Sequence, residues 1–313
     1  MSGSSKGHPI VRLTVSAADS IDDKHLQTAL VEIAAQDPTL RVDAQPMGIA
    51  HSLEGTSASH LESICNRLRD KYHLAINGSP PEAVLVETIR KSGEAEGKFI
   101  RQIGGLGNYG HCKLHIEPCK SDEGYVFASA VSHDALPDEY LSSIERGVQN
   151  AMRSGVLSDH PLVDLKVTVV DGSYHALDSN PMAFEMAGAV ALKDAVRNAA
   201  PVLLEPMMLV EIEEVPQELA DIIRDEVNLH RGRVDSEVTV NGWSEFRAIV
   251  PLSELLLSNS RLLAEFPTEF AGFEPVSDGG ISGDNGTGVT ANKPNRPPHG
   301  RRSEAARPDQ EDE

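Results

Sequence analysis

Four groups of residues in this sequence have the types and spacing to do chemistry. Gly105-Leu-Gly107-Asn-Tyr-Gly110 is a literal G-x-G-x-x-G. Between a strand and a helix such a run lets backbone close on a pyrophosphate. Here it leads into His111-Cys-Lys-Leu-His-Ile116, which alternates like a strand, so a glycine-bent loop between two strands is expected instead. His111 and His115 fall on one strand face with Cys119 just beyond, which begins a zinc spacing but lacks the paired ligands of a closed site. Ser173, His175 and Asp178 have the residue types of a hydrolytic triad. They are crowded into one short loop with no nucleophile elbow, so a recognition loop is the expected role. His230-Arg231-Gly232-Arg233 concentrates positive charge where a helix should end, with Gly232 as its expected cap. No G-x-x-x-x-G-K-S/T run occurs, so the sequence contains no P-loop, and no cofactor or metal is expected.

The elements that must position these residues fall into three blocks. In residues 9–81 a strand at Ile10–Val15 precedes a helix from Asp22 to Gln36, on which Leu26, Leu30, Ile33 and Ala34 share a face. A short strand near Leu40–Val42 follows, then a helix over Ala58–Tyr72 with Leu61, Ile64, Cys65 and Leu68 on one side, then Leu74–Ile76. The order β-α-β-(β)-α-β is that of a split βαβ, ferredoxin-like unit. Residues 82–201 begin with strands at Ala83–Arg90, Lys98–Gln102 and His111–Glu117. Helices over Tyr140–Arg153 and Pro181–Ala199 flank a strand at Leu162–Val170, and Ser179 or Asn180 caps the second helix. Residues 202–276 repeat the first order in smaller form: strand Val202–Ile212, helix Pro216–Leu229, strands Arg233–Val240 and Phe246–Val250, and helix Leu252–Leu263. Residues 1–8 form an N-terminal extension. Residues 277–313, rich in Gly, Pro, Asn and charge without apolar periodicity, read as a disordered tail.

Composition bounds the function. The 313 residues include 28 basic and 48 acidic side chains, a formal charge of −20, and 40% are hydrophobic. Such a chain buries aliphatic cores in two or three domains. No apolar run approaches the roughly 20 residues of a membrane helix, and the start lacks a secretory pattern. Three cysteines suit a reducing compartment, so the expected location is the cytoplasm. A sequence pI near 5.0 argues against a broad nucleic-acid footprint and leaves only local RNA contact.

In combination, several segments resemble translation elongation factor G. These are Glu94-Ala-Glu-Gly-Lys98-Phe, the Gly104–His111 loop, Gly172-Ser-Tyr-His175 with Asp178-Ser179, Ala199-Ala-Pro201-Val-Leu-Leu-Glu-Pro206 and Val250-Pro-Leu-Ser-Glu254. They stand in the family's order and at close to its spacing, and fainter agreement reaches back to Pro9. The resemblance implies an α+β chain of two ferredoxin-like domains, III (9–81) and a shortened V (202–276), flanking an S5 domain 2-like domain IV (82–201). It also implies that the family's GTPase and barrel domains are absent.

The function implied is that of a ribosome-binding protein related to the translocation factor, meeting ribosomal RNA and proteins. The family tip that enters the decoding region maps onto Gly104, Gly105, Leu106, Gly107, Asn108, Tyr109, Gly110, Ser173, Tyr174, His175 and Asp178. A domain V contact maps onto His230, Arg231 and Arg233. Where the family tip reads Gly-Gly-Arg-Gly-Gln-Tyr-Gly-His, this sequence has Leu106 for the arginine and Asn108 for the glutamine, which removes a phosphate-binding cation. Any GTPase activity would come from a separate chain. The competing expectation is a truncated paralogue whose scaffold meets a non-ribosomal protein.

Overall fold

The helices form where the apolar stripes place them, and the sheets collect strands from across each block. The computed structural model describes residues 9–44, 50–103, 106–119, 124–132, 135–158, 160–257 and 266–276. The tail, the N-terminal extension, Gly104, Gly105 and residues 258–263 of the expected last helix lie outside the described residues.

The first sheet is built from β1 (Val11–Ala17), α1 (Asp23–Gln36), β2 (Arg41–Ala44), β3 (His51–Gly55), α2 (Ala58–Asp70) and β4 (Ile76–Gly78), with strand order β2-β3-β1-β4. Its pairings are antiparallel, as a split βαβ topology requires. Leu26, Leu30 and Ile33 of α1 and Leu61, Ile64, Cys65 and Leu68 of α2 are buried against β1 and Leu53. The strand that periodicity does not mark is β3, whose inward positions are His51, Leu53 and Gly55. Only one of those three is a large apolar residue.

Asp37 closes the turn after α1. Its carboxylate accepts from the Thr39 hydroxyl at 2.6 Å and the Thr39 amide at 2.9 Å, and meets His60 Nε2 at 2.8 Å. The Thr39 hydroxyl, then its amide and His60, outweigh the effect of burial and hold the Asp37 carboxyl below its ordinary value of 3.8. A depressed carboxylate contributes stability above its unfolded pKa that is lost as pH falls through the folded one. Acidification from about pH 5 to pH 2 is therefore expected to lower the urea midpoint, and Asp37→Asn to flatten that fall. An equally steep fall in the variant would refute the assignment.

Two short strands follow, β5 (Glu82–Ala83) and β6 (Val86–Ile89). They split the single strand expected over Ala83–Arg90, because β5 pairs with β1 while β6 pairs with the long strand of the third sheet.

The second sheet comprises β7 (Gly93–Ile103), β8 (Leu106–Pro118), β9 (Tyr125–Ser129) and β10 (Leu165–Ser173) in the order β7-β8-β10-β9. The pair β9–β10 is parallel, and α3 (Asp138–Met152) connects them. Sequence periodicity misses β9, whose residues are only half-buried, and starts β10 three residues early at Leu162. After β10 comes α4 (Pro181–Asn198), capped by the Asn180 side chain on the Ala183 amide at 3.0 Å. Ala183, Ala187, Ala191 and Ala195 recur along α4 and are all buried. They lie on glycines of the sheet. A Cβ at Gly97 would stand 2.0 Å from the Ala187 carbonyl, and one at Gly110 2.4 Å from that of Ala183. These strand glycines let the helix backbone approach the sheet.

The third sheet contains β11 (Pro201–Pro216), α5 (Ala220–Leu229), β12 (Arg233–Val240), β13 (Trp243–Pro251), α6 (Leu252–Leu257) and β14 (Thr268–Pro275). Its order β12-β13-β11-β14 repeats the first sheet's topology with all four strands present. No strand is expected after Leu263, but Thr268–Pro275 forms β14, which pairs along β11. Met208 and Leu252 pack into the core beneath the first sheet. No helix among the described residues is long and apolar enough to cross a membrane.

Candidate functional site

The far end of the β7–β8 hairpin and the connection from β10 to α4 meet in one place. Strand β10 runs through Ser173, so Gly172 and Ser173 belong to the ladder opposite Cys112 and His111 rather than to a loop. Leu106–Gly110 of the G-x-G-x-x-G likewise lie in β8, as strand rather than the expected loop, and they open no helix. The Ser173 hydroxyl meets Tyr109 Oη at 2.8 Å and His111 Nδ1 at 2.8 Å, and His111 Nε2 meets Glu96 Oε1 at 2.6 Å. These contacts tie both strands to one hydroxyl.

The loop itself is pinned to Tyr109 and Asn108. The Tyr109 ring packs edge-on against His175 at 4.3 Å, and its amide donates to the Asp178 carbonyl at 2.8 Å. The Asn180 amide donates to Asn108 Oδ1 at 2.8 Å, and the His175 amide to Ser179 Oγ at 2.9 Å. A Cβ at Gly107 would sit 2.2 Å from the Asp178 carboxylate, so only glycine leaves room there. The resulting surface exposes Tyr174, His175 and Asp178 beside half-buried Asn108 and Tyr109.

The residue types of a triad are thus present without its geometry. Ser173 is bonded to Tyr109 and His111, and His175 packs edge-on with Tyr109. The zinc spacing also dissolves into ion pairs on the outer face of the sheet. Glu96 joins Lys98 and His111; Glu94 joins Lys113 and His115; Glu117 joins Lys166. Lys98, then His111, hold the Glu96 carboxyl below its usual value, and Lys113, then His115, do the same for Glu94. Between them Cys112 points into the core, where burial pushes its thiol up to about 12. Among the described residues no three His, Cys, Asp or Glu side chains gather to hold a metal.

One tip residue escapes a reading of motifs. Arg101 lies directly across from Asn108 in the β7–β8 register, is exposed, and rests 5.6 Å from the Phe99 ring. No carboxylate pairs with it among the described residues. It restores a cation at the tip where the sequence has Leu106. Only the register reveals it: Ile103 pairs with Leu106 and Arg101 with Asn108, a pairing that no motif in the sequence announces.

The basic residues of the third block lie elsewhere and are engaged within the fold. Arg231 adopts a left-handed backbone, φ 53°, in the position the sequence gives to Gly232. Its guanidinium donates to both Glu205 oxygens at 2.7 and 3.0 Å, to Glu254 at 2.6 Å and to Ser253 at 3.0 Å. Gly232 is required for a different reason, since a Cβ there would meet Val250 at 2.8 Å and the Val227 carbonyl at 2.9 Å. Arg233 forks onto Glu274 at 2.7 and 2.6 Å, and His230 lies between Glu226 and Glu254.

Residues 7–80 match the profile of Elongation Factor G, domain III, and residues 81–200 that of Elongation factor G, domain IV. A solved structure of a Thermus thermophilus protein, ttk003000868, superimposes with a TM-score of 0.62 and 30% identity over 86% of this chain. This chain spans 41% of that protein's length. Two consecutive domains of one family, matched in their natural order, settle descent: the chain belongs to the elongation factor G family, of which it carries domains III and IV.

Proposed function

We propose that this protein is an elongation factor G-like ribosome-binding protein that docks through the tip of its second sheet. In this reading residues 9–81, 82–201 and 202–276 act as domains III, IV and V, and the protein works in the cytoplasm. The observation that carries the proposal is the tip: an exposed histidine, His175, held rigidly on Tyr109, beside an uncompensated arginine, Arg101. A stacking side chain and a free cation are what a local RNA contact needs on a chain of net charge −20. The sequence holds no P-loop, so GTP hydrolysis in its cycle would come from residues outside this sequence. The engaged Arg231 and Arg233 favour a second reading, in which the third sheet faces protein rather than RNA.

Co-sedimentation with 70S ribosomes at low and moderate salt tests the proposal. Binding should weaken with salt, and Arg101→Glu should lower the slope of log affinity against log salt by about one. His175→Ala should reduce pelleting with the salt slope unchanged. Equal pelleting of wild type and both variants would remove the tip from the interface, and no pelleting at either salt would end the ribosomal reading.

A further inference from the structure

The third sheet ends in an edge that no other strand covers among the described residues. Strand β12 is the terminal strand of its sheet, and from Asp235 to Val240 every residue is exposed. Natural edges are blunted by lysine, proline or a bulge. The bulge in β12 lies at its start, between Val234 and Ser236, and Ser236–Val240 contains neither lysine nor proline.

The hairpin register shows which backbone groups are open. Val240 pairs with Trp243 across Asn241-Gly242, both with positive φ (54° and 83°), as a two-residue turn requires. Counting back from that closing pair, Val240 and Val238 bond to β13, while the N–H and C=O groups of Thr239 and Glu237 face outward. Strand pairing also sorts the side chains. Trp243, Val240 and Val238 lie together on the face opposite buried Ser244 and Phe246, with exposures of 53%, 59% and 55%.

Charge on that face is one-signed. Glu245 stands directly across from Val238, and Glu213 and Glu214 occupy the bulge of β11 beside Trp243, with a cleft of about 250 Å³ between Trp243 and Glu214. All three carboxylates are exposed and have no ion pair among the described residues. The nearest cations are taken, Arg247 by Glu211 and Arg224 by Glu237 and Asp221. Phosphate would be repelled here, and a second copy would bring the same acids face to face.

We infer that β12 receives an extended, basic segment of a partner protein as an additional strand. Its backbone pairs with Glu237 and Thr239, its apolar side chains cover Val238 and Val240 beside Trp243, and its Lys or Arg residues reach toward Glu245 in the field of Glu213 and Glu214. This surface is separate from the tip and does not depend on ribosome binding.

The probe is a labelled decapeptide in which every second residue is Thr and the positions between alternate Val and Lys, so that both lie on one strand face, with a control of equal charge interrupted by two prolines. Trp243, the chain's only tryptophan, reports binding by its own fluorescence and the label by anisotropy. The alternating peptide should bind and shift Trp243 emission, with the control weaker by about tenfold or more. Val238→Lys changes an exposed residue and should weaken the alternating peptide by about tenfold as well. Thr239→Pro removes the outward N–H, together with the hydroxyl that meets Ser244 Oγ at 2.8 Å, and should do the same, with far-UV circular dichroism confirming the fold of both variants. Equal binding of the two peptides, or of wild type and Val238→Lys, would overturn the assignment. So would a dimer on size-exclusion chromatography that Val238→Lys dissolves, which would give the edge to a second copy.

Discussion

Replacement of Glu87 by alanine is expected to destabilise the protein by about 3–5 kcal/mol, since it removes at once the charged acceptor of three backbone amides. Glu87 is completely buried on β6, yet it is ionisable and touches no cation among the described residues. Its carboxylate instead accepts three successive backbone amides, Val156 at 2.7 Å and Leu157 and Ser158 at 3.0 Å each. Gly155, at φ 55°, turns the chain around it, and a Cβ there would come within 2.6 Å of the carboxylate. The main chain joins in, with the Glu87 amide donating to Pro161 at 2.8 Å and its carbonyl accepting from Val163 at 2.9 Å. Because β6 also pairs with β11, this one residue fastens the segment after α3 to the edge of the third sheet's long strand.

Glu87→Gln keeps the volume but turns an N–H₂ toward donors, so an intermediate loss of about 1–3 kcal/mol is expected. Urea midpoints give the magnitude. Hydrogen exchange gives the place, since the amides of residues 156–158 should lose protection before the rest of the second sheet. A Glu87→Ala variant that unfolds within 1 kcal/mol of wild type, taking that as about the spread of a surface change, would show that water replaces the carboxylate.

Arg231→Met is expected to cost a similar amount, about 3–5 kcal/mol, because it leaves the Glu205 carboxylate buried without its counter-charge. The Glu205 side chain is only 5% exposed, and only the Ser253 hydroxyl, at 3.1 Å, would remain to it. Restoring neutrality should recover much of the loss. In a double-mutant cycle, Glu205→Gln with Arg231→Met should lie closer to wild type than the two single losses add up to. Strict additivity would mean that the pair is not coupled.

The same cluster gives a pH signature. Burial alone would raise the Glu254 carboxyl, but the hydrogen bonds from Arg231 and His230 outweigh it and hold it below its ordinary value of 4.5. Its contribution is therefore present above about pH 4.5 and lost on acidification. The gap between wild type and Arg231→Met should narrow below that pH.

Local features of the sequence were legible for local reasons. The buried faces of α1 and α2 follow from apolar spacing within each helix, and Asn180 with Pro181 marks the start of α4. That the G-x-G-x-x-G opens no helix follows from the alternation after it. The segments of Gly104–His111 and Gly172–Ser179 sufficed to point to the family and to the tip. Strands β3, β9 and β14 were not legible, because each is short or half-buried and lacks a clean two-residue period.

What the sequence by itself determined is the α+β class, the faces of α1 and α2, the descent from elongation factor G and the residue types carried by the Gly104–His111 and Gly172–Ser179 segments. Tertiary structure alone decided what those residues touch. Arg101 reaches the tip through a cross-strand register, and Arg231 turns inward to a glutamate 26 positions away. Glu87 finds its three amides about 70 residues along the chain, and β12 is left at the edge of its sheet. The physical reason is common to all four: propensity and periodicity act over a few residues. Charge pairing, burial and strand order are settled only when distant segments meet.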